Sequence, residues 1–275
     1  MPEHDTARER ARVAAGDELA SLLHHHDADV LLALLDNPAL SEMQLCVLLS
    51  RKDLPTEVLE EVTTRKSLLK NYRVKRALAF HPRTPRLPGL RLIRELYLMD
   101  LVQLTLLAGT SAELKRSAEE QLVARLSQLP LGQKITLARR ATARVAGALL
   151  AEGHPQLVAI TLDNASLTEA QVLKALSRDR LPMGVVQSVA QHRKWSHVYN
   201  VRLALVRHRN ATLSTILGYL PELTVSDLRE LASPGIVSEN LRKYLLAEIQ
   251  RRIQRSEKAT EGEGKADSPP PDSSE

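Results

Sequence analysis

The side chains able to do chemistry near neutral pH are few in this chain, and they are scattered. There is a single cysteine, Cys46, inside the apolar run Leu45-Cys46-Val47-Leu48-Leu49. One thiol forms no intrachain disulfide and no multi-cysteine metal site. Its surroundings point to a small core hydrophobe rather than a nucleophile. The run His24-His25-His26 is the best metal candidate by composition. Consecutive residues of a helix diverge by about 100° each, so the three cannot converge on one ion. A solvated helix end is the expectation, with no metal and no cofactor. His81 and His208 are set 127 residues apart at the ends of matching apolar helix faces. A histidine there bonds the last carbonyls of its helix. No G-x-G-x-x-G, Walker-type, H-E-x-x-H or G-x-S-x-G pattern occurs, so no catalytic centre is expected.

The basic segments say more. Val62 to Arg94 contains no acidic residue and carries Lys66, Arg73, Lys75 and Arg76 around Tyr72. Arg180 to Pro221 is again free of acids, with Arg193, Lys194 and Arg202 around Tyr199. Lys134, Arg139, Arg140 and Arg144 make a third cluster. Cations with an aromatic among them are the electrostatic footprint of phosphate binding, although solvated faces look the same. The candidate binding residues are therefore Lys66, Tyr72, Arg73, Lys75, Arg76, Arg193, Lys194, Tyr199 and Arg202. The net charge of +5 divides unevenly, because acids predominate in 1–20 and 255–275 and residues 21–254 hold a net +10. A basic body suits an anionic partner.

These residues must be positioned by helices. Leucine dominates, and aromatics make up only 3% of the chain. That balance disfavours strands. A repeat then sets the frame. Leu35-Asp36-Asn37 recurs as Leu162-Asp163-Asn164, Leu54-Pro55 as Leu181-Pro182, and Asp100-Leu101 as Asp227-Leu228. Residues 35–104 and 162–231 share 24 identities in 70 ungapped positions, which argues for tandem duplication of a unit 127 residues long. About eight helices are expected per unit. Capping boxes are expected at Ser41/Gln44, Thr168/Gln171 and Thr110/Glu113, and first-turn prolines at Pro55 and Pro182. In the helix near Asn71–Phe80, Val74, Ala77, Leu78 and His81 share a face. Val201, Ala204, Leu205 and His208 repeat it.

Helix pairs about 32 residues apart have the spacing of α-solenoids. With its recurring Asn-Pro or Asn-Ala and Leu-Pro breakers, the chain resembles HEAT-like and armadillo-like repeat proteins of a bacterial kind. The resemblance covers nearly all of 20–254 and implies an all-α superhelix with a binding surface and no reaction. Leucine-rich variant repeats hold an iron–sulfur cluster on an N-terminal cysteine cluster, which this chain lacks. HEAT-like DNA glycosylases share the scaffold, but their catalytic residues do not map here. A pocket pairing an acid with Trp195 would be needed for such an enzyme.

The expected organisation is a flexible N-terminus (1–12), repeat unit 1 (13–127), repeat unit 2 (128–254) and a disordered acidic Pro/Ser tail (255–275). No run approaches the ~20 apolar residues of a membrane span, and Met1–Gly16 has no apolar secretory core. A cytoplasmic, non-enzymatic scaffold for a protein partner is the leading expectation, with a nucleic-acid backbone binder as the alternative.

Overall fold

The computed structural model describes the backbone of residues 2–266 and the side chains of 6–257. Among the described residues there are 18 α-helices and no strand. The chain divides into two compact units, Met1–Pro130 and Leu131–Glu275. Unit 1 contains α1 (Pro2–Val13), α2 (Gly16–Leu22), α3 (Ala28–Leu34), α4 (Glu42–Ser50), α5 (Thr56–Thr64), α6 (Tyr72–Phe80), α7 (Arg86–Ile93), α8 (Leu98–Leu106) and α9 (Ala112–Arg125). Unit 2 contains α10 (Leu131–Arg140), α11 (Ala143–Glu152), α12 (Pro155–Leu162), α13 (Glu169–Leu176), α14 (Met183–Gln191), α15 (Tyr199–Arg207), α16 (Leu213–Tyr219), α17 (Val225–Leu231) and α18 (Glu239–Ala266). Each of α2 to α9 begins 127 residues before its counterpart among α11 to α18. Eight helices thus fall in each 127-residue span, as expected, and each compact unit has a ninth before them, α1 in unit 1 and α10 in unit 2. Helix α1 lies in the stretch expected to be flexible.

Many helices pack on their second neighbour, while others, such as α8 on α9 and α17 on α18, pack chiefly on the next helix. In unit 1, α1 lies on α3, α3 on α5 and α7 on α9, while α4 lies on α6. In unit 2, α10 lies on α12 and α12 on α14, while α11 lies on α13 and α13 on α15. The sequence sets this up with one apolar stripe per helix. Val58, Leu59 and Val62 of α5 are fully buried, as are Val74 and Leu78 of α6 and Val201 and Leu205 of α15.

Most of these helices are 7–10 residues long, so a large share of their backbone groups sits in unpaired ends. Helix α11 ends on a left-handed C-cap, Gly153, at φ 75°. A side chain there would also collide with Pro182, whose Cγ lies 2.7 Å from the position of a Cβ. Elsewhere helices α4, α5, α6, α8, α14 and α15 end on residues in extended conformation. At several helix ends and the turns beside them, carbonyls are met by side chains from further along the chain. His81 pairs through Nε2 with the Arg51 carbonyl, while its Nδ1 accepts from the Arg83 amide at 3.1 Å. His208 does the same with the Arg178 carbonyl and the Asn210 amide. These histidines therefore serve the end of the preceding layer, not the last carbonyls of their own helix. Asn37 donates to Ala11 and Ala14 at 2.8 Å, and Asn164 donates to Ala138 and Ala141. Arg125 binds the Leu96 carbonyl, and Arg252 binds that of Leu223.

Several local expectations change. Helix α1 is docked: Ala11 is fully buried, and Asn37 holds the end of the helix. Its few apolar residues hid this, because a polar side chain makes the attachment. Helix α18 runs on through 255–266, where disorder was expected. Glu, Lys and Ala extend an established helix readily. The remainder of that expected tail, 267–275, lies outside the described residues. The Ser41/Gln44 capping box forms. Thr168 caps α13 without a side-chain bond, and Ser111 rather than Thr110 caps α9. Pro55 and Pro182 sit one residue earlier than expected, at the N-cap.

Leu78→Ala and Leu205→Ala should each destabilise their unit by about 2–5 kcal/mol, since both side chains are fully buried. Chemical denaturation followed by helical circular dichroism reads this directly. The His81 ring carries a second prediction. Burial holds it below its ordinary pKa, so the folded state takes up a proton less readily than the unfolded state. Stability is complete above about pH 6.5 and declines as pH falls through that value towards the lower folded one. Melting temperatures measured between about pH 7.5 and 5 should fall, and His81→Gln should flatten part of that slope.

Candidate partner-binding grooves

Helices α4 and α6 lie side by side, and each points a stripe away from the core. On α4 the stripe is Met43, Cys46, Val47 and Ser50. On α6 it is Arg73, Arg76, Ala77 and Phe80. Both follow i, i+3, i+4, i+7 spacing, which places four residues on one face. Between them runs a groove of about 490 Å³, floored by Leu49 and Ala77, edged by Lys52, Arg73 and Arg76, and closed by Phe80, His81 and Pro82. A second hollow of about 620 Å³ shares Lys52, Phe80, His81 and Pro82 with it and continues past Leu107–Ser111.

Unit 2 carries the same groove between α13 and α15, at about 510 Å³. Each of its lining residues stands 127 positions after one in unit 1. Leu49, Ser50, Ala77 and His81 recur as Leu176, Ser177, Ala204 and His208. The rest differ: Cys46 becomes Leu173, Lys52 Asp179, Arg73 Asn200, Arg76 Leu203, Phe80 Arg207 and Pro82 Arg209.

The nine residues proposed from sequence fall into two sets. The first set is built into the fold. Tyr72 donates its hydroxyl to Asp100 and accepts the Tyr97 amide at 2.8 Å, and the two rings stack at 3.9 Å. Burial, then the bond to the Asp100 carboxylate, pushes the Tyr72 pKa up to about 12. Tyr199 repeats the node: it donates to Asp227 and accepts the Thr224 amide at 3.0 Å. The Thr224 and Tyr199 hydroxyls hold the Asp227 carboxyl below the usual range. Lys75 is paired with Glu95, and Arg202 with Glu222. Arg76 donates to Asp100 at 2.6 Å and lies 4.9 Å above the Phe80 ring. The acids missing from Val62–Arg94 are thus supplied from outside the stretch: Asp36 and Glu61 to Arg65, Glu113 to Arg86. Lys134, expected in a solvated patch, is 7% exposed and paired with Glu152.

The second set faces outward. Lys66 is exposed on the turn after α5, and Arg73 is exposed on α6. Among the described residues neither makes an ion pair, and the same holds for Lys52 and Lys70. Arg193 is 91% exposed, 4.0 Å from Asp163. Lys194 sits 4.1 Å over the Trp195 ring. Only Arg73 and Arg76 of the nine line a groove. Cys46, Lys52 and Phe80 were not singled out as groove residues, although the paired stripes on α4 and α6 were visible as helical spacing.

The remaining candidate residues take the following places. Cys46 is half-buried on the groove wall rather than in the core. Burial raises its thiol pKa against the opposing pull of Arg73, so it is held as the weakly nucleophilic thiol. Trp195 is buried, and its Nε1 donates to the Leu162 carbonyl at 2.9 Å. His26 lies 3.7 Å from Asp53, and no cluster suited to a metal occurs among the described residues. No helix there is long and apolar enough to cross a membrane.

Comparison with family models, with curated proteins and with solved structures gives no match. The grooves must be read on their own chemistry.

Charge reversal separates the two sets. Lys75→Glu places a carboxylate against Glu95, and Arg202→Glu places one against Glu222. Each should lower stability by about 1–3 kcal/mol. Lys66→Glu and Arg73→Glu should change it by less than about 0.5 kcal/mol. Thermal denaturation of the four variants is the check.

Proposed function

We propose that the chain is a non-enzymatic scaffold of the α-solenoid kind, made of two tandem helical units, that binds a protein partner along its grooves. Second-neighbour packing of short helices within each unit supports the solenoid reading, because stacked repeats bury their apolar faces in this way. The shared spacing of α2–α9 and α11–α18 supports an origin by duplication.

One observation carries the choice of a protein partner. The groove of unit 1 is bordered by exposed apolar side chains, with Met43 at 72% and Val47 at 43% exposure, and not by cations alone. Phosphates gain nothing from apolar flanks and lose water against them. Peptide surfaces, with mixed apolar and polar groups, fit both. The basic segments also contain less available charge than their composition suggests, since Lys75, Arg76, Arg86, Arg202 and Arg207 are spent on internal carboxylates. Phosphate-backbone binding draws its affinity from cations free to release counterions, which weighs against a nucleic-acid ligand.

Affinity purification of the tagged chain, split into nuclease-treated and untreated halves, is the test. A protein partner retained equally in both halves, and eluting little in moderate salt, is the expected result. Recovery that disappears with nuclease would replace this reading with nucleic-acid binding.

A further inference from the structure

Resting on the protein-scaffold reading, we propose that the face of unit 1 formed by α4, α6 and α8 docks an acidic peptide segment of the partner that also carries bulky apolar side chains. The three helices are continuous at this face, because Arg76 of α6 bonds Asp100 and Gln103 of α8, the latter at 2.9 Å. Its apolar part is Met43 and Val47 on α4 with Met99 (42% exposed) and Leu106 (58% exposed) on α8. Its charged part is Lys52 and Arg73, which line the groove and make no ion pair among the described residues. No carboxylate lines the 490 Å³ groove itself. A segment laid there meets positive charge at the rim and apolar surface at either side, so carboxylates with bulky aliphatic or aromatic groups complement it.

Unit 2 serves as an internal control. At the equivalent positions it has Ala170 for Met43, Lys174 for Val47, Ser226 for Met99 and Ser233 for Leu106. Asp179 and Asn200 replace the two free cations. The same groove forms with these residues, and with Arg207 and Arg209 in place of Phe80 and Pro82, at 510 Å³. The fold therefore requires neither the exposed apolar side chains nor cations at these two positions. Scattered surface hydrophobics are ordinary, but a set that borders one cationic groove and is erased in the sister unit marks a binding surface.

The full-length protein should be put through selection against a displayed library of random 16-residue peptides. Enriched sequences should combine Asp or Glu with Leu, Phe, Ile or Met. Synthetic copies should bind with an affinity at least tenfold weaker for Lys52→Asp/Arg73→Asn, and again for Met43→Ala/Met99→Ser. Each change installs the residue that unit 2 uses at that place, so melting temperature and helical signal should stay at the wild-type value. The weakening by the first pair should shrink as salt rises, and that by the second should not. Several results overturn the proposal: no enrichment, enrichment of peptides lacking acids, or peptides that bind all variants equally. Binding of a single-stranded oligonucleotide at this face, lost in the first variant, overturns it in favour of nucleic acid. Dimerisation of the wild type that either variant abolishes overturns it in favour of a second copy. A nuclease-resistant protein partner found alongside such a failure would remove this groove and leave the scaffold reading standing. Absence of any protein partner would remove both.

Discussion

A fold made of helices only two or three turns long is governed by the ends of those helices. Each α-helix leaves four carbonyls at its C-terminus with no partner in its own turn. In a long helix this is a minor fraction, but in α4, α6 or α15, each nine residues long, it is close to half of them. Gly in left-handed conformation is the common solution, and this chain uses it at few helix ends. It relies instead on long-range donors set about one layer ahead, among them Asn37, His81, Arg125, Trp195 and Arg252. Each such bond contributes only about 0.5–1.5 kcal/mol net. Leaving the buried carbonyl without it would cost about 1–3 kcal/mol. The caps therefore act less as glue than as a condition that successive layers must meet, and they fix the register in which one helix lies on its second neighbour.

That condition explains how the polar residues are used. His81 must be neutral to accept from the Arg83 amide while donating to the Arg51 carbonyl, and burial keeps it so. Tyr72 joins three parts of the chain through one hydroxyl, tying α6 to the start of α8 through Asp100 and the Tyr97 amide. Lys75 and Arg202 bridge to glutamates twenty residues on. A side chain that reads as a solvated cation in the linear sequence is, in each of these cases, a tether between consecutive layers.

Helix periodicity and the 127-residue spacing were legible in the sequence because they are local or self-comparing signals. Val74 and Leu78 fell on the buried face, as did Val201 and Leu205. The fate of the charges was not legible. An acid-free stretch such as Val62–Arg94 looks like an open basic patch only when neutralising groups are sought nearby in sequence. Here Glu95, Asp100 and Glu113 arrive from later helices, and Asp36 from an earlier one. The docking of α1 was hidden for a related reason, since its hold depends on the Asn37 amide rather than on an apolar stripe. Periodicity reports what a helix hides from water. It does not report which partner will meet its polar groups.

Residues that match between two similar units are usually taken as a sign of function, and in this chain they point the other way. Tyr72/Tyr199, Lys75/Arg202, His81/His208 and Asn37/Asn164 are kept, and each keeps its internal partner at the same spacing. Both units must close the same helix ends, so both need the same donors. A ligand imposes no such symmetry, because it need touch only one unit. The positions freed from the fold are those where the two grooves share a shape but not a chemistry: Lys52 against Asp179, Arg73 against Asn200, Phe80 against Arg207. Specificity between otherwise equal surfaces has to come from such differences, in charge and in apolar reach. It follows that binding residues are better sought where the two units diverge around a groove of like shape than where they agree.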